Sequence, residues 1–319
     1  MILTVTLNAA IDRTVAVPSF RQGNRHRAVE ASTVAGGKGV NVARALKLLG
    51  RPVIATGLAG GPTGARLMER LAEESILTDF TWIGGESRTN LAVIDPTSGE
   101  QTEINERGPD VSAEELDRFL EKLLYLARGA RICAIAGSLP PSVPAAFSAR
   151  MVEELKALGV ETVVDTEGEP LLASLRAEPA AVTPNVREAE GAVGHEFNDR
   201  EDALNGLRSL VELGASAAVI TRPEGCVASI LGEDDQRHAY EVTAQELEPV
   251  ATVGSGDAFL AGFDAARYDG RPPEECLRFA VACGAESTQH FGAGSIDPAE
   301  VERLLPGVEA RELEAPATV

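Results

Sequence analysis

The 319-residue sequence is poor in several residue types on which particular protein classes depend. Aromatic residues make up only 4% of it, and only four of its 29 basic residues are lysines. Acidic residues outnumber basic ones, which gives a formal net charge of −20 at pH 7. Nucleic acids and anionic membrane surfaces are bound by basic faces. The charge therefore argues against both, and we expect no nucleic acid and no membrane as partner.

Cysteine and histidine are also scarce. The four cysteines are Cys133, Cys226, Cys276 and Cys283. No two of them form a Cys-x-x-Cys pair and the four histidines are dispersed, so the usual signatures of zinc sites are missing. No apolar run has transmembrane length, and the first residues lack the basic segment of a signal peptide. These absences predict a soluble, cytoplasmic protein with small buried thiols.

Apolar runs of strand length alternate with amphipathic stretches of helix length. The predicted strands are Ile2–Leu7, Pro52–Thr56, Arg131–Ala136, Thr162–Asp165, Ala180–Val182 and Ala217–Thr221. The predicted helices are Val42–Leu49, Thr63–Glu74, Ala113–Leu126, Ala145–Leu158 and Arg200–Leu213. Such alternation indicates an α/β fold with a parallel sheet covered on both faces. Ligands of such folds bind outside the carboxyl ends of the strands.

Three segments do not follow this alternation. Residues 14–34 and 78–107 are longer than ordinary loops and contain period-two patterns, which predict extra strands that leave the main sheet as a lid. An ordinary surface meander is the alternative. The tail after Pro306, with Glu309, Glu312, Glu314 and Pro316, is expected to be loosely held.

The stretch from Val253 to Gly262 is the most informative part of the chain. Apolar residues at helical spacing begin just after it opens, so Gly254, Ser255 and Gly256 lie where a loop becomes a helix N-terminus. Unpaired amides and the helix dipole favour an anion there. With Asp257 beside it as a base, the stretch predicts phosphoryl transfer to a hydroxyl. The alternative interpretation is a turn with a capping aspartate.

A second constellation lies near the N-terminus. Gly36, Gly37, Lys38 and Asn41 stand at the mouth of the first helix, where glycines let the backbone approach a ligand closely. Asp12 follows the first strand, at its carboxyl end, where a carboxylate can accept hydrogen bonds from sugar hydroxyls. A hydroxyl-rich ligand is therefore predicted.

Polar pairs that include arginine occur in both predicted lid segments. Arg25 and Arg27 are two residues apart, as are Arg88 and Asn90, and on a strand such pairs share a face. Arginine binds phosphate bidentately, so these positions predict a phosphate-bearing substrate. Taken singly, each arginine is better explained as a solvated surface residue, and the prediction depends on their occurring together with Lys38 in an acidic protein.

The chain resembles the sugar kinase family that contains ribokinase and the minor phosphofructokinases. The motifs that carry the resemblance are Thr6-Leu-Asn-x-Ala-Ile-Asp12, Gly36-Gly-Lys-Gly-x-Asn-Val-Ala-Arg44, Gly137-Ser-Leu-Pro140, Asp165-Thr-x-Gly168, Pro184-Asn-x-x-Glu188 and Val253-Gly-Ser-Gly-Asp257. The first two are similar to those of 1-phosphofructokinase and tagatose-6-phosphate kinase. The resemblance implies a ribokinase-like three-layer α/β/α sandwich with a mostly parallel central sheet and a small β-sheet lid, within a single domain of residues 1–319.

The resemblance also implies roles for residues. Asp257 would be the general base, with Gly254, Ser255 and Gly256 forming an anion hole. Sugar binding would fall to Asp12, Gly36, Gly37, Lys38, Asn41 and Asn90, and phosphate binding to Arg25, Arg27, Arg88 and Ser138. ATP would contact Asn185, Thr221, Gly225 and Gly256, and Glu188 would contact Mg²⁺ through water. The lid would form a homodimer.

Two departures from the family pattern concern the nucleotide site. Thr183 stands where close relatives often carry lysine, and Thr221-Arg-Pro-Glu-Gly225 is one residue shorter than the usual loop. Pro223 also lacks an amide donor. The expected reaction is ATP-dependent conversion of fructose 1-phosphate to fructose 1,6-bisphosphate. Tagatose 6-phosphate and fructose 6-phosphate are alternative substrates, and an inactive sugar-phosphate binding protein is the alternative of another class.

Overall fold

The computed structural model describes residues 1–232, 236–245, 247–290 and 292–313. Its strands are β1 (Ile2–Thr6), β2 (Ala10–Ala16), β3 (Glu30–Gly36), β4 (Val53–Gly60), β5 (Leu77–Ile83), β6 (Arg88–Ile94), β7 (Gln101–Asn105), β8 (Ile132–Ala136), β9 (Glu161–Asp165), β10 (Ala181–Val182), β11 (Ala218–Arg222), β12 (Gly225–Leu231), β13 (Arg237–Thr243) and β14 (Glu309–Leu313). Its α-helices are α1 (Lys38–Leu48), α2 (Gly61–Glu73), α3 (Ala113–Ala127), α4 (Ala146–Ala157), α5 (Gly168–Arg176), α6 (Val186–Val193), α7 (Arg200–Glu212), α8 (Ser255–Tyr268), α9 (Pro273–Ser287) and α10 (Pro298–Leu304).

The large sheet has ten strands in the order β14-β13-β12-β11-β10-β9-β8-β1-β4-β5. The pairs from β11 through to β5 are parallel, whereas β12, β13 and β14 add antiparallel strands at one edge. At the centre, Thr4 of β1 pairs with Ala55 on one side and Ala134 on the other. Every residue of β1 is buried, as expected of a strand covered on both faces. The predicted mostly parallel sheet is confirmed.

Helices cover both faces of this sheet and enclose two apolar cores. Ile2 and Leu3 are neighbours on β1, yet they belong to different cores because successive side chains of a strand point to opposite faces. The first core includes residues of α1, α2, α8, α9 and α10, and the second includes residues of α3, α4, α5, α6 and α7. The three-layer arrangement is therefore also confirmed.

Each predicted strand and helix occurs, and the largest differences lie at two ends. The helix predicted from Val42 begins at Lys38, so Lys38 and Gly39 of the glycine-rich motif are helical, while Gly36 ends β3 and Gly37 is the N-cap. Glycine at position 39 allows the helix to start this close to β1, because any other residue would place a Cβ 2.6 Å from the carbonyl oxygen of Val5. The strand predicted to stop at Thr56 continues to Gly60 and leads directly into α2.

A separate four-stranded sheet has the order β3-β2-β6-β7. It draws strands from both segments predicted to leave the main sheet, although β2 begins at Ala10 rather than within residues 14–34. The start of the segment 78–107, however, belongs to the large sheet and not to the four-stranded sheet. There β5 pairs with β4 at the edge of the large sheet, because Phe80 and Ile83 are buried against its cores.

The chain after Pro306 is more ordered than expected. The strand β14 pairs with β13, with Ala310 opposite Val242, and Leu313 is buried. The prediction of a loose tail is wrong for residues 309–313, because they pair with β13 along one edge and Leu313 is buried. Glu314 and Pro316 lie outside the described residues.

The scarce cysteines and the absence of long apolar runs agree with the structure. All four cysteines are free thiols, and all are buried. Among the described residues, no helix combines the length and the apolar character needed to cross a membrane.

Candidate active site

The helix α8 begins at the predicted loop-to-helix transition. Its N-cap is Gly254, in the left-handed conformation with φ 85°, and no side chain caps this end. A Cβ on Gly254 would lie 2.5 Å from the Cβ of Ala293, whereas one on Gly256 would meet nothing within 4 Å. Asp257 lies within the first turn of α8 rather than at the cap. The interpretation of Asp257 as a capping residue is therefore wrong.

Asp257 is a buried carboxylate held by one amide. Its side chain belongs to a residue only 6% exposed, and Asn41 Nδ2 donates to Asp257 Oδ2 over 2.8 Å. Burial raises the pKa of Asp257 to about 7, against the opposing effects of Lys38 and of the Asn41 hydrogen bond. A carboxylate with such a pKa can both accept and release a proton near neutral pH.

Lys38 lies among carboxylates at the start of α1. Its Nζ is 3.1 Å from Asp165 Oδ1 and 3.3 Å from Glu188 Oε1. Burial alone would lower the pKa of Lys38, but the charges of Asp165, Glu188 and Asp257 outweigh burial and raise it. Lys38 is therefore a permanent cation next to Asp257.

Sequence reasoning did not assign a role to Asp165, although its motif was noted. Asp165 ends β9, at the carboxyl edge of the sheet where ligands of this architecture bind. Burial raises its pKa, and Lys38 opposes that rise. The signal that could have identified it was an aspartate directly after an apolar strand.

Asp12 and Asn90 come together between β2 and β6. The two residues are register partners, and Asn90 Nδ2 donates to Asp12 Oδ1 over 2.8 Å. Burial raises the pKa of Asp12, and Arg88 and Arg44 lower it. A Cβ on Gly36 would lie 2.0 Å from Asp12 Oδ2, so only glycine there leaves room for this carboxylate. At Gly37, φ is 108° and a Cβ would lie 2.7 Å from Thr6 Cγ2.

Arg88 and Ser138 are brought to one region by Asn8. Arg88 Nε donates to the carbonyl oxygen of Asn8 over 3.0 Å, and Asn8 Nδ2 donates to Ser138 Oγ over 3.2 Å. Asn8 is nearly buried, and a Cβ on Gly108 would lie 2.1 Å from its Oδ1. Sequence reasoning included Asn8 in a motif without a role. Its place at the end of β1 was the available signal.

Arg25 and Arg27 differ from the prediction. They lie in the connection between β2 and β3 and not on a strand, and both are exposed. Within the described part of the chain, neither makes a hydrogen bond or an ion pair. The expectation that they share the face of a strand is wrong, because the hydrogen-bonded pairing of β2 with β3 joins Ala16 to Glu30 and ends there.

Asn185 and Glu188 form a capping box at the start of α6. Glu188 N donates to Asn185 Oδ1 over 3.0 Å, and Asn185 N donates to Glu188 Oε2 over 2.9 Å. Both oxygens of Glu188 therefore already accept hydrogen bonds, one of them from Lys38. The described residues contain no group of three or more histidine, cysteine or acidic side chains able to hold a metal ion. Each oxygen retains a second lone pair, so Glu188 can still accept a hydrogen bond from a water of a hydrated Mg²⁺.

Thr221 and Gly225 flank a tight hairpin between β11 and β12. Arg222 pairs with Gly225, leaving only Pro223 and Glu224 in the turn. Gly225 has φ 149°, and a Cβ there would lie 2.0 Å from the carbonyl oxygen of Val242. A backbone bridge joins Thr221 to Asn185, which places this hairpin next to α6.

Asp257, the N-terminus of α8 and Lys38 lie together in an arrangement that suits phosphoryl transfer. Asp12, of the carboxylate–amide pair, is close enough to raise the pKa of Asp257, and Arg88 is close enough to lower the pKa of Asp12. Phosphoryl transfer needs positioning and stabilisation of negative charge, with a group that accepts the proton of the acceptor hydroxyl.

Comparison with known proteins agrees with this arrangement. The model of the pfkB family carbohydrate kinases matches residues 3–300. The chain belongs to this family of carbohydrate kinases. It is therefore a phosphotransferase that acts on an alcohol group, with ATP as the donor that family membership implies.

Individual relatives cover nearly the whole of this carbohydrate kinase. It is 33% identical over 313 residues to 1-phosphofructokinase of Bacillus subtilis, covering 98% of this chain and 100% of the relative. It is 32% identical over 287 residues to 1-phosphofructokinase of Borreliella burgdorferi, covering 89% and 90%. Phosphofructokinase-2 of Escherichia coli in complex with fructose-6-phosphate superposes with a TM-score of 0.87 at 27% identity, covering 96% and 98%.

Proposed function

We propose that this carbohydrate kinase transfers the γ-phosphoryl group of ATP to fructose 1-phosphate and forms fructose 1,6-bisphosphate. The observation that carries the proposal is the buried Asp257, held by Asn41 in the first turn of α8. The two relatives named 1-phosphofructokinase support a phosphorylated ketose as substrate.

In this proposal Asp257 accepts the proton of the C6 hydroxyl as its oxygen attacks the γ-phosphorus in line. General-base assistance of this kind is worth on the order of 10²–10⁴ in rate. The amides of Gly254, Ser255 and Gly256 hold the transferred group, and the charge of Lys38 stabilises it. Glu188 would contact a water of a hydrated Mg²⁺, which would neutralise charge on the donor phosphates. Asn185, Thr221, Gly225 and Gly256 are proposed to contact ATP.

The sugar and its phosphate are proposed to occupy the other part of the site. Asp12 accepts from ring hydroxyls while Asn90 fixes its orientation. Gly36 and Gly37 allow close approach, and the second proton of Asn41 Nδ2 is available to a hydroxyl. Arg88 and Ser138 bind the substrate phosphate. Arg25 and Arg27, which are exposed on the connection between β2 and β3, are proposed to bind the same phosphate.

Fructose 6-phosphate is the second candidate substrate, because the E. coli structure named above contains that sugar phosphate. The two arms of the ketose furanose are related by a near two-fold axis. One phosphate site and one base can therefore act on either arm, and tagatose 6-phosphate fits the same reasoning.

A coupled ADP-release assay with the three sugar phosphates in parallel tests the proposal. We expect the highest kcat/KM with fructose 1-phosphate, and a preference for either 6-phosphate would reassign the substrate. Asp257→Asn is expected to lose at least 10²-fold in kcat with little change in KM. A near-wild-type kcat in that variant would overturn the role of Asp257. Binding of fructose 1-phosphate without ADP release from any substrate would favour a sugar-phosphate binding protein.

We also propose that the four-stranded sheet forms a homodimer. Every residue of β7 is exposed, and Ile104 and Val29 are 59% and 70% exposed. Exposed apolar side chains on an edge strand favour association. Light scattering after size-exclusion chromatography should give twice the mass of 33.5 kDa. Ile104→Asp should yield monomers, whereas Tyr125→Asp on α3, at a 70% exposed residue, should not. A monomeric wild type would contradict this proposal.

A further inference from the structure

Arg44 of α1 has all five of its N–H donors engaged. Nε donates to Glu74. Nη2 donates to Glu74 Oε1 at 2.9 Å and to the carbonyl oxygen of Ala35 at 2.7 Å. Nη1 donates to Asn41 Oδ1 and to the carbonyl oxygen of Ala293, each at 2.9 Å. The side chain of Arg44 is 12% exposed. One guanidinium therefore joins the end of β3, the end of α2, the segment beside Gly254 and the amide next to Asp257.

The contacts of Arg44 determine which way the amide of Asn41 points. A guanidinium donates and never accepts hydrogen bonds, so it requires the oxygen of Asn41. An ionised Asp257 accepts and never donates, so it requires the nitrogen of Asn41. The oxygen and nitrogen of an amide are assigned from such networks, and here both neighbours demand the same orientation. Asn41 is therefore a fixed donor toward Asp257.

We propose that Arg44 is a positioning residue for phosphoryl transfer, which holds the Asn41 amide so that its nitrogen donates to Asp257. This inference rests on the proposed function of Asp257 as the base. An amide that donates to a carboxylate favours the ionised form, which is the form able to accept a proton. If the amide turned over, its oxygen would face the carboxylate and favour the protonated form.

Among the other charged groups around Asp257, Asp12 responds to the charge of Arg44, which lowers the pKa of Asp12, and a substitution that keeps this charge preserves that effect. Lys38 lowers the pKa of Asp257, while Asp165 and Asp12 raise it. Lys38 is paired with Asp165 and Glu188, and Asp12 is bonded to Asn90. A change at Arg44 that preserves its charge should therefore act on Asp257 mainly through the Asn41 amide.

Arg44→Lys tests this because it keeps the charge but replaces five fixed donors by one ammonium. Such a group cannot serve Asn41, Ala293 and Glu74 together. We expect the pKa of Asp257 to rise by about one unit, so kcat should fall about tenfold at pH 6 and recover near pH 9, with a smaller change in KM. The control is Arg51→Lys, since Arg51 also bonds a carboxylate, Asp269, at 2.6 Å but outside the site.

Two readouts separate failure of this inference from failure of the proposed function. Titration of the Asp257 carboxyl carbon by NMR, assigned with Asp257→Asn, reports its pKa without any turnover. An unchanged pKa in Arg44→Lys would overturn the positioning role even if Asp257 is the base. A raised pKa together with near-wild-type kcat in Asp257→Asn would uphold the positioning and overturn the base.

A double-variant comparison distinguishes positioning from general damage to the fold. In an Asn41→Leu background, Arg44→Lys should raise the pKa of Asp257 no further, because the amide through which it acts is gone. An equal additional rise in that background would refute the inference. If Arg44→Lys does not fold, Glu74→Gln weakens the same network and should shift the pKa in the same direction by a smaller amount; no shift there would also refute it.

Discussion

Asp264 offers a direct test of how burial acts on a charged group in this fold. It lies on α8, seven residues after Asp257, and is fully buried. In the described part of the chain, neither of its carboxylate oxygens has a hydrogen-bond partner. Burial raises its pKa to about 8, with Arg267 opposing this and Glu161 and Asp165 adding to it. The carboxyl group is therefore protonated in the folded protein at neutral pH.

The consequence for stability follows from the difference between folded and unfolded states. The unfolded chain releases this proton near the ordinary value of 3.8, whereas the folded chain retains it until about pH 8. Between these values the folded state binds more protons, so the free energy of unfolding falls as pH rises through this window. At about 1.4 kcal/mol for each pKa unit, the loss from pH 4 to pH 8 is about 5 kcal/mol.

Asp264→Asn removes this loss while preserving the size and shape of the side chain. Urea unfolding monitored by circular dichroism at pH 5, 6.5 and 8 should show the variant close to wild type at pH 5. At pH 8 it should be more stable by about 2–4 kcal/mol, within the range set by the pKa difference. Asp110→Asn, at an exposed position, should show no such trend. A stability difference that does not grow with pH would refute the assignment of a buried neutral carboxyl group.

Three further predictions concern the site and the surface. Asp257 must be ionised to accept a proton, and its pKa is about 7. The kcat should therefore rise with pH through neutrality and then level off. A kcat that stays constant from pH 5.5 to 8.5 would contradict this. Gly36→Ala would place a Cβ 2.0 Å from Asp12 Oδ2. The displaced carboxylate should orient the sugar phosphate poorly, so KM for the sugar phosphate should rise at least about tenfold. The control Gly191→Ala, whose Cβ would have nothing within 4 Å, should leave KM unchanged. The net charge of −20 should make the melting temperature in 0.01 M NaCl lower than in 1 M NaCl because salt screens self-repulsion, and an equal or higher value at low salt would contradict this.

Local pattern was enough to predict most of the fold. Every residue of β1 and β8 is buried, and burial on both faces is why their sequences lack charged residues and are mostly apolar. The start of α8 was predictable because glycines before a helical repeat mark an N-terminus. The edge position of β5 was not predictable, since its sequence is as compatible with a lid strand as with the main sheet.

The candidate site could be predicted as a set of residue types but not as a set of contacts. Asp257 and Lys38 were identifiable because each stands at a glycine-rich helix start. The partners of each were not, because Asn41 and Asp257 are 216 residues apart in sequence and Lys38 and Asp165 are 127 apart. Such contacts depend on strand order and register, which no local period encodes.

The sequence by itself determined the elements of the α/β fold, the two glycine-rich helix starts and the residue types that point to phosphoryl transfer. Spacing along a chain fixes which side chains share a strand or helix face, and these features depend on nothing else. Only the tertiary structure decided that Asp257 is a buried acid rather than a cap, that Arg44 orients its amide partner, and that Arg25 and Arg27 lie on an exposed connection. Those outcomes depend on burial and on the meeting of distant segments, which arise only when the sheet is assembled.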